Sequence, residues 1–229
     1  MSLKVDRYSD RMLDSSDEKT PVNADPANGQ KQMTTGQVED VKLWQAFKKH
    51  DKHAFRLLYE KYAKVLYNYG RHISGDDNLT KDCLQDLFTE LWNSRQRLSD
   101  IDSVKHYLFK AFRRKILEAI KQQRKFAWTA DEHIPVDFEI ELSLESQLIS
   151  SQMKAEQQEK IQQALNQLTK RQKEVIFLKF YQNLSYTDIA STLSLTVNAV
   201  YNLISKAFHV LKEALKGQAF LGLLLLACS

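Results

Sequence analysis

The sequence predicts an all-α protein made of two small helical domains that a flexible linker joins. Glycine and proline are scarce, with 6 and 3 residues among 229, whereas the helix-forming residues Leu, Lys, Gln, Glu and Ala are abundant. Apolar residues recur at steps of three and four along two separate blocks of the chain, which is typical of helices with one buried face. An acidic stretch without this period lies between the blocks.

These patterns divide the chain into five segments. We expect a disordered tail over residues 1–36, a first helical domain over 37–126, an acidic linker over 127–153, a second helical domain over 154–217 and an apolar tail over 218–229. The first tail mixes charges of both signs with Ser, Asn, Pro and Gly, a composition that does not fold alone. We interpret it as a passive extension rather than a partner-binding segment.

The termini and the cysteines indicate the cellular compartment in which the protein is expected. The apolar tail contains the run AFLGLLLLA, which is roughly half as long as a membrane span and is expected to pack on the second domain or to bind a partner. The N-terminus has no apolar signal-peptide core. Cys83 and Cys228 lie far apart without metal-ligand spacing, which favours a reducing compartment. We therefore expect a cytoplasmic protein that is not integral to a membrane.

No arrangement in the sequence points to catalysis. There is no Ser/His/Asp set, no glycine-rich loop for phosphates and no His/Cys cluster for a metal. The 6 histidines are scattered, and we interpret them as surface or hydrogen-bonded core residues. The sequence therefore predicts no catalytic residue, no metal, no cofactor and no small-molecule substrate.

An acidic stripe marks the segment LTKDCLQDLFTELW of the first domain. Asp82, Asp86 and Glu90 recur at steps of four, with Gln85 beside them, opposite an apolar face. Such a stripe is usually a solvated helix face, but one this regular can also dock on a basic partner surface.

The next segment, VKHYLFKAFRRKILEAIKQQRK, is strongly basic. From Lys105 to Lys125 eight lysines and arginines accompany a single acid, Glu118. Aromatic residues interleave with the cations or follow them: Tyr107, Phe109, Phe112, Phe126 and Trp128. Cations suit nucleic-acid phosphates and rings suit unstacked bases. An ordinary amphipathic helix with all its rings in the core is the alternative. This alternative explains less well why four cations gather without acidic partners: Lys110, Arg113, Arg114 and Lys121.

The segment from Leu184 to Leu211 has the pattern of a helix-turn-helix. Ser185 is a candidate N-cap for the first helix, and Thr196 is one for the second, whose apolar residues continue at helical spacing. The second helix of such a motif can enter a DNA major groove. An αα-hairpin inside an ordinary helical bundle is the alternative.

Taken together, the two blocks resemble a sigma factor of the extracytoplasmic-function group, which keeps only the second and fourth conserved regions of bacterial sigma-70 factors. The segments AFRLLYEKYAKVLYNYG, DCLQDLFTELWNSRQRL and VKHYLFKAFRRKILEAIK resemble region 2. The segment IQQALNQLTKRQKEVIFLKFYQNLSYTDIASTLSLTVNAVYNLISKAF resembles region 4, and both follow the family's order over about residues 38–125 and 156–215. The resemblance implies a promoter-specificity subunit that binds core RNA polymerase, recognises −35 and −10 promoter elements and helps to melt DNA.

The resemblance also implies roles for polar residues. The acidic stripe matches the docking surface for the β′ clamp helices of RNA polymerase: Asp82, Gln85, Asp86 and Glu90. The β flap is the other expected polymerase contact. The basic helix and the loop before it match the element that melts and captures the −10 element: Ser99, Asp100, Asp102, Lys105, Tyr107, Lys110, Arg113, Arg114 and Lys121. The second helix of the helix-turn-helix matches the −35 contacts: Thr196, Asn198, Tyr201, Asn202, Ser205 and Lys206.

The helix-turn-helix departs from the common family pattern in three places. Many members carry basic residues where this chain has Tyr201 and Leu203, and a glycine in the turn where it has Ser194. Fewer cations mean fewer phosphate contacts and a shallower salt dependence of DNA binding. Base-specific hydrogen bonds are then expected mainly from three side chains: Asn198, Asn202 and Lys206.

Two other functions stay open on the sequence alone. A free-standing transcriptional regulator would bind DNA through the helix-turn-helix without polymerase, although its sensor domain would not need the basic helix. A helical adaptor would bind only proteins. The resemblance adds one more expected partner, an anti-sigma factor, because members of this group are usually held inactive by one.

Overall fold

Four helices form the N-terminal part of the fold. They are α1 (Thr35–Lys48), α2 (Lys52–Ser74), α3 (Asp77–Ser94), which a 3₁₀ turn follows, and α4 (Val104–Arg124). The computed structural model describes residues 33–124, Phe138 and residues 151–215, without the side chains of Arg124 and of residues 151–158. No residue in these ranges forms a β-strand, and the predicted all-α class is confirmed.

Side-chain caps explain where these helices begin and end. Thr34 and Gln37 form a capping box at the start of α1, and Asp51 and Asp76 accept hydrogen bonds from the first backbone amides of α2 and α3. α2 ends at Gly75, whose φ of 67° suits a left-handed C-cap. The capping box places the start of α1 inside the segment 1–36 whose composition is that of a tail.

The core of this first group of helices, here called the N-module, is rich in aromatic rings. Its fully buried side chains include Trp44, Phe47, Tyr62, Leu66, Phe112 and Ile116. Gly70 lets α2 approach α4 closely, because a Cβ there would lie 2.6 Å from Ile116 Cδ1 and 2.8 Å from Phe112 Cε1. α4 is therefore fixed against α2 along its apolar side.

The second group of helices, here called the C-module, contains the helix-turn-helix. It comprises α5 (Ser151–Asn166), α6 (Lys170–Ile176), a π-helical turn (Phe177–Tyr181), α7 (Tyr186–Leu193) and α8 (Val197–Leu215). The predicted caps are confirmed: Ser185 accepts a hydrogen bond at the start of α7, and Thr196 Oγ1 accepts one from the backbone amide of Ala199 at 3.1 Å. The helix-turn-helix thus consists of α7 and α8.

The N-module and the C-module pack against each other, which the sequence did not predict. α4 contacts α7 directly. Phe138 of the linker is completely buried between the modules, with its ring 6.0 Å from Tyr69 and 5.3 Å from His72 of α2, and 5.5 Å from Phe177 of the π turn. The rest of the segment 125–150 and the apolar run 219–227 lie outside the described residues.

Candidate nucleic-acid interface

One face of α8 presents polar side chains to solvent. All the residues that we assigned to the −35 element are exposed: Thr196, Asn198, Tyr201, Asn202, Ser205 and Lys206. The opposite face is apolar and buried through Val200, Ile204 and Leu211. Leu203 is half-buried and packs against the core, so it lies at the edge of the polar face. α8 therefore presents a row of hydrogen-bonding groups to solvent.

An aromatic pair that the sequence analysis missed holds Tyr201 in place. Its ring stacks on Tyr186, the first residue of α7, with the ring centroids 4.1 Å apart. Lys179 Nζ lies 4.2 Å from the centroid of the Tyr186 ring, as in a cation–π contact. The turn that brings α7 and α8 together contains Ser194 at a φ of 56°, a left-handed conformation that glycine adopts more readily.

Both arginines in the middle of α4 have acidic partners, so our expectation of unpaired cations was wrong for them. Arg113 Nε lies 2.8 Å from Oε1 of Glu174, a residue of α6 that is 61 positions away in the sequence. Arg114 Nε lies 3.6 Å from Glu118 on the same helix. The distant partner of Arg113 gives α4 a role in joining the two modules.

Arg113 and Glu174 form the centre of a buried cluster between the modules, with Tyr69 and Arg171. The side chains of Arg113 and Glu174 are only 9% and 1% exposed. The Tyr69 hydroxyl donates to Glu174 at 2.9 Å, and Arg171 Nη1 lies 3.3 Å from its second oxygen. Arg113, which we expected to hold a DNA phosphate, has its guanidinium inside the protein in this arrangement.

The protonation of this cluster follows from its charges. Burial disfavours the charged form of Arg113, but the interactions of Arg113 with Glu174 and Tyr69 together outweigh burial, so the pKa of Arg113 is raised above its usual value. Burial, reinforced by the charge of Glu174, raises the pKa of Tyr69 well above its usual value. Arg113 therefore stays a cation, and the Tyr69 hydroxyl stays a neutral donor.

Two lysines of α4 also contact the C-module. Lys105 Nζ donates to the backbone carbonyl of Gln182 at 2.9 Å, and Lys110 Nζ donates to Ser191 Oγ of α7 at 2.9 Å. Burial lowers the pKa of Lys105. With Arg113, these lysines are the members of the predicted −10 set that the structure places in contact with the C-module.

The remaining α4 cations of the set are accessible. Arg114 and Lys121 are exposed, and together with Tyr107 they line a cavity of about 540 Å³ between α4 and α7. Ser191 and Ser194 contribute hydroxyls to its other wall. The cavity is basic on the side of α4 and neutral on the side of α7.

Helix α1 positions the loop before α4. Trp44 Nε1 donates to the backbone carbonyl of Ser99 at 3.2 Å, and Lys48 Nζ lies 2.5 Å from a carboxylate oxygen of Asp100. The side chains of Asp100 and Asp102 remain exposed. These contacts with α1 fix the first end of the loop and leave the carboxylates of Asp100 and Asp102 accessible.

The rings that interleave with the α4 cations belong mostly to the core. Phe109 and Phe112 are completely buried and cannot stack on bases, whereas Tyr107 is half-buried against Trp44, with centroids 5.1 Å apart. Burial raises the pKa of Tyr107. Phe126 and Trp128 lie outside the described residues.

The acidic stripe on α3 faces solvent beside an aromatic groove. Asp82, Gln85 and Asp86 are exposed, while Glu90 is 65% exposed and lies 2.6 Å from Lys115 of α4. Apolar side chains of α2 and α3 line the adjacent groove: Phe55, Tyr59, Leu84, Phe88 and Trp92. Acidic and apolar groups thus share one surface, which suits a protein partner with a basic and partly apolar face.

The described part of the chain contains neither a candidate metal site nor a candidate membrane span. Within residues 33–124, Phe138 and residues 151–215, no group of three His, Cys, Asp or Glu side chains could hold a metal ion. In the same part of the chain, no helix is long and apolar enough to cross a membrane.

Known proteins match both modules. The family model of sigma-70 region 2 matches residues 58–126, and the model of sigma-70 region 4 matches residues 158–208. A curated relative, the ECF RNA polymerase sigma factor SigX of Bacillus subtilis (strain 168), is 27% identical over 164 residues, which is 69% of this chain and 82% of the relative.

Two solved structures share the fold at a TM-score of 0.51. One is CnrH in complex with the cytosolic domain of CnrY, which is 18% identical and covers 78% of this chain and 98% of its own. The other is the sigma factor RpoE in complex with the anti-sigma factor NepR from Bartonella quintana, which is 20% identical and covers 72% of this chain and 98% of its own.

The two family regions match successive parts of one chain, in the order that the sequence analysis expected. Region 2 spans most of the N-module with the basic helix α4, and region 4 spans the C-module through most of α8. The curated match is longer than either region alone. The chain therefore belongs to the sigma-70 family of RNA polymerase sigma factors, in its extracytoplasmic-function group.

Proposed function

We propose that this promoter-specificity subunit contacts core RNA polymerase and promoter DNA through three surfaces of its own chain. The observation that carries the proposal is that α8 exposes the whole predicted −35 set in a chain that also matches region 2. The protein acts by binding, without a catalytic step, and it works in the cytoplasm beside the polymerase. A −35 contact, a −10 contact and a polymerase contact make up the three surfaces.

The −35 contact is made by α8 in the major groove. Asn198, Asn202 and Lys206 are spaced by four residues and therefore lie on one side of the helix. Asparagine amides pair well with adenine and lysine with guanine or phosphate, each good pair contributing about 1–3 kcal/mol of discrimination. Tyr201, held by Tyr186, supplies contact area where many relatives carry a cation.

The −10 contact is made by α4 and the loop Ser99–Ser103. Arg114 and Lys121 hold backbone phosphates of the opened strand, and the loop receives an unstacked base beside Tyr107. Melting a few base pairs costs roughly a few kcal/mol, which stacking and phosphate contacts on the opened strand can offset.

The polymerase contact is made by α3 and its neighbouring groove. Asp82, Gln85 and Asp86 complement the β′ clamp helices in charge, and the aromatic groove receives apolar side chains beside them. The C-module supplies the second contact, to the β flap. Polymerase holds the −35 and −10 contacts in one complex, so that their affinities for DNA combine although each contact alone is weak.

The proposal is tested by mixing the purified chain with core polymerase and candidate promoters, and by scoring open complexes with a probe for unpaired thymines. We expect melting only when chain and polymerase are both present. Asn202→Ala should lower open-complex formation by about 5- to 150-fold, which corresponds to about 1–3 kcal/mol. Glu213→Ala is the matched control, because Glu213 is exposed on α8 but outside the predicted set.

Two outcomes would contradict the proposal and favour its rivals. Tight and specific DNA binding by the chain alone would identify a free-standing regulator. An absence of any DNA effect, with or without polymerase, would identify a protein-binding adaptor.

We also infer that an anti-sigma factor regulates the chain. The solved RpoE structure is, by its title, a complex with the anti-sigma factor NepR, and the exposed acidic and aromatic surface of α3 offers a comparable partner a place to bind. A pull-down from the native host should recover a membrane-linked inhibitor in stoichiometric amount. Recovery of polymerase subunits alone would argue against such a partner.

A further inference from the structure

We propose that Tyr201 of α8 recognises a thymine of the −35 element through the C5 methyl group of that base, and that Tyr186 of α7 is the positioning residue that holds the Tyr201 ring ready for this contact. The recognition rests on the proposed function in one respect, namely that the polar face of α8 enters the major groove. A base, the chemistry that distinguishes it and a side chain outside α8 are added to that function.

Tyr201 differs in chemistry from its neighbours on the polar face of α8. Among the large apolar side chains that are exposed in the described part of the chain, it is the one that belongs to α8, and it is 38% exposed. Asn198 precedes it by three positions and Ser205 follows it by four, so all three residues lie on the same side of the helix. An aromatic ring therefore lies between an amide and a hydroxyl on the surface that we assign to DNA.

The ring of Tyr201 is held in place before DNA binds. It stacks on Tyr186 with the centroids 4.1 Å apart and the planes inclined by 24°, and Lys179 Nζ lies 4.2 Å from the centroid of the Tyr186 ring. The turn with the left-handed Ser194 brings α7 and α8 close enough for this stack. A ring that is already fixed loses little conformational entropy on binding, so the stack should strengthen the contact that Tyr201 makes.

The exposed part of a fixed ring matches one chemical group of the major groove. Every base pair presents hydrogen-bond donors or acceptors there, but only thymine adds an apolar group, the C5 methyl. Ring carbons placed against a donor or an acceptor would displace its water without replacing the hydrogen bond, which is unfavourable. Against a methyl group, the same carbons bury apolar surface on both sides of the contact. The Tyr201 ring therefore favours thymine over the other three bases.

Two other groups can reach the same base, and a test must separate them from the ring. Leu203 lies at the edge of the polar face, although it is half-buried and packs against the core. The phenol hydroxyl of Tyr201 can form a hydrogen bond with a phosphate or a base edge, and such a bond does not detect a methyl group. Removal of the methyl group from the DNA is therefore the diagnostic change.

The experiment replaces thymine by deoxyuridine, which removes the C5 methyl group and leaves the hydrogen-bonding groups of the base in place. The preferred −35 element is first selected with the holoenzyme that the full-length chain forms with core polymerase. Each thymine of that element is then replaced singly, and the affinity of the holoenzyme is measured by competition. At one position uracil should weaken binding about fourfold, the equivalent of ~0.8 kcal/mol for one buried methyl group.

Variants assign this effect to the two rings. In Tyr201→Ala, thymine and uracil should bind equally at that position, whereas Tyr201→Phe should keep most of the fourfold ratio. Tyr186→Ala should bring the ratio below about twofold and weaken binding to thymine DNA by about 2- to 12-fold, the equivalent of ~0.5–1.5 kcal/mol for an aromatic pair. Tyr186→Phe keeps the stacked ring and should restore both values. Tyr181→Ala, at an exposed tyrosine outside α7 and α8, is the matched control.

Three results would overturn the recognition of thymine by Tyr201. They are a preferred −35 element without thymine, an element in which no uracil lowers the affinity, and a fourfold ratio that persists in Tyr201→Ala and so identifies Leu203 instead. A wild-type ratio in Tyr186→Ala would overturn the positioning role of Tyr186.

Two further measurements keep these outcomes separate from other failures. Circular dichroism identifies a variant that fails to fold, and Tyr186→Leu, which keeps an apolar side chain without a ring, decides if Tyr186→Ala does. Failure of the proposed function appears as an absence of promoter binding and of open complexes with the wild-type holoenzyme on unmodified DNA.

Discussion

Helices α4 and α8 both carry polar side chains that we assign to promoter DNA, but the two sets differ in their exposure and in their contacts with the rest of the chain. On α8 every assigned side chain is exposed to solvent. On α4 Arg113 is buried against Glu174, and Lys105 and Lys110 donate hydrogen bonds to the C-module. Of the two surfaces that we propose for DNA, the one on α8 is thus accessible and the one on α4 is partly occupied.

The difference follows from the chemistry of the side chains. The assigned face of α8 consists of amides, hydroxyls and a single cation, groups that attract carboxylates only weakly. The assigned face of α4 is a row of cations, and cations attract acids and carbonyls from their own chain as readily as phosphates from DNA. A helix that binds DNA through cations can therefore be bound by acidic groups of its own chain. A helix that binds mainly through neutral hydrogen-bonding groups is much less prone to this.

The two helices should differ most in stability when one cation of each helix is replaced by alanine. Arg113→Ala should lower the free energy of unfolding by about 3–5 kcal/mol, because it leaves the carboxylate of Glu174 buried without its partner. Lys206→Ala should change it by no more than about 0.5 kcal/mol, because Lys206 is exposed on α8. Urea denaturation followed by circular dichroism measures both. Equal stabilities of the two variants would show that Arg113 is not engaged in solution.

A smaller effect is expected from the apolar side of α4, which fixes its position. Gly70→Ala places a Cβ 2.6 Å from Ile116 Cδ1, and overpacking of about 1–3 kcal/mol should exceed the helix-propensity gain of about 1 kcal/mol. Gly36→Ala is the matched control, since nothing lies within 4 Å of its Cβ. We expect it to stabilise the protein by up to about 1 kcal/mol. If Gly70→Ala proved as stabilising as Gly36→Ala, α4 would not be held tightly against α2.

Local signals in the sequence were sufficient for the helices and for the accessible surface. Capping residues such as Ser185 and Thr196 act on amides a few positions away, and apolar periods identify the buried face of each helix. The exposed face of α8 follows from the same period. The capping box of Thr34 and Gln37 is an equally local signal for the start of α1.

The interface between the modules could not be predicted in the same way. Arg113 and Glu174 are 61 positions apart, and neither residue differs in type from the solvated charges around it. The stacking of Tyr186 on Tyr201 likewise depends on the left-handed turn at Ser194. Such pairings are set by tertiary packing, so a pattern read along one helix contains no information about them.

The buried ring of Phe138 also determines how far apart the two modules can move. Between the end of α4 at Arg124 and the start of α5 at Ser151, the anchored ring divides the connection into stretches over residues 125–137 and 139–150. A stretch of about 13 residues spans at most ~45 Å, whereas the undivided connection of about 26 residues spans at most ~90 Å. A single phenylalanine thereby halves the reach of the connection for as long as its ring stays buried.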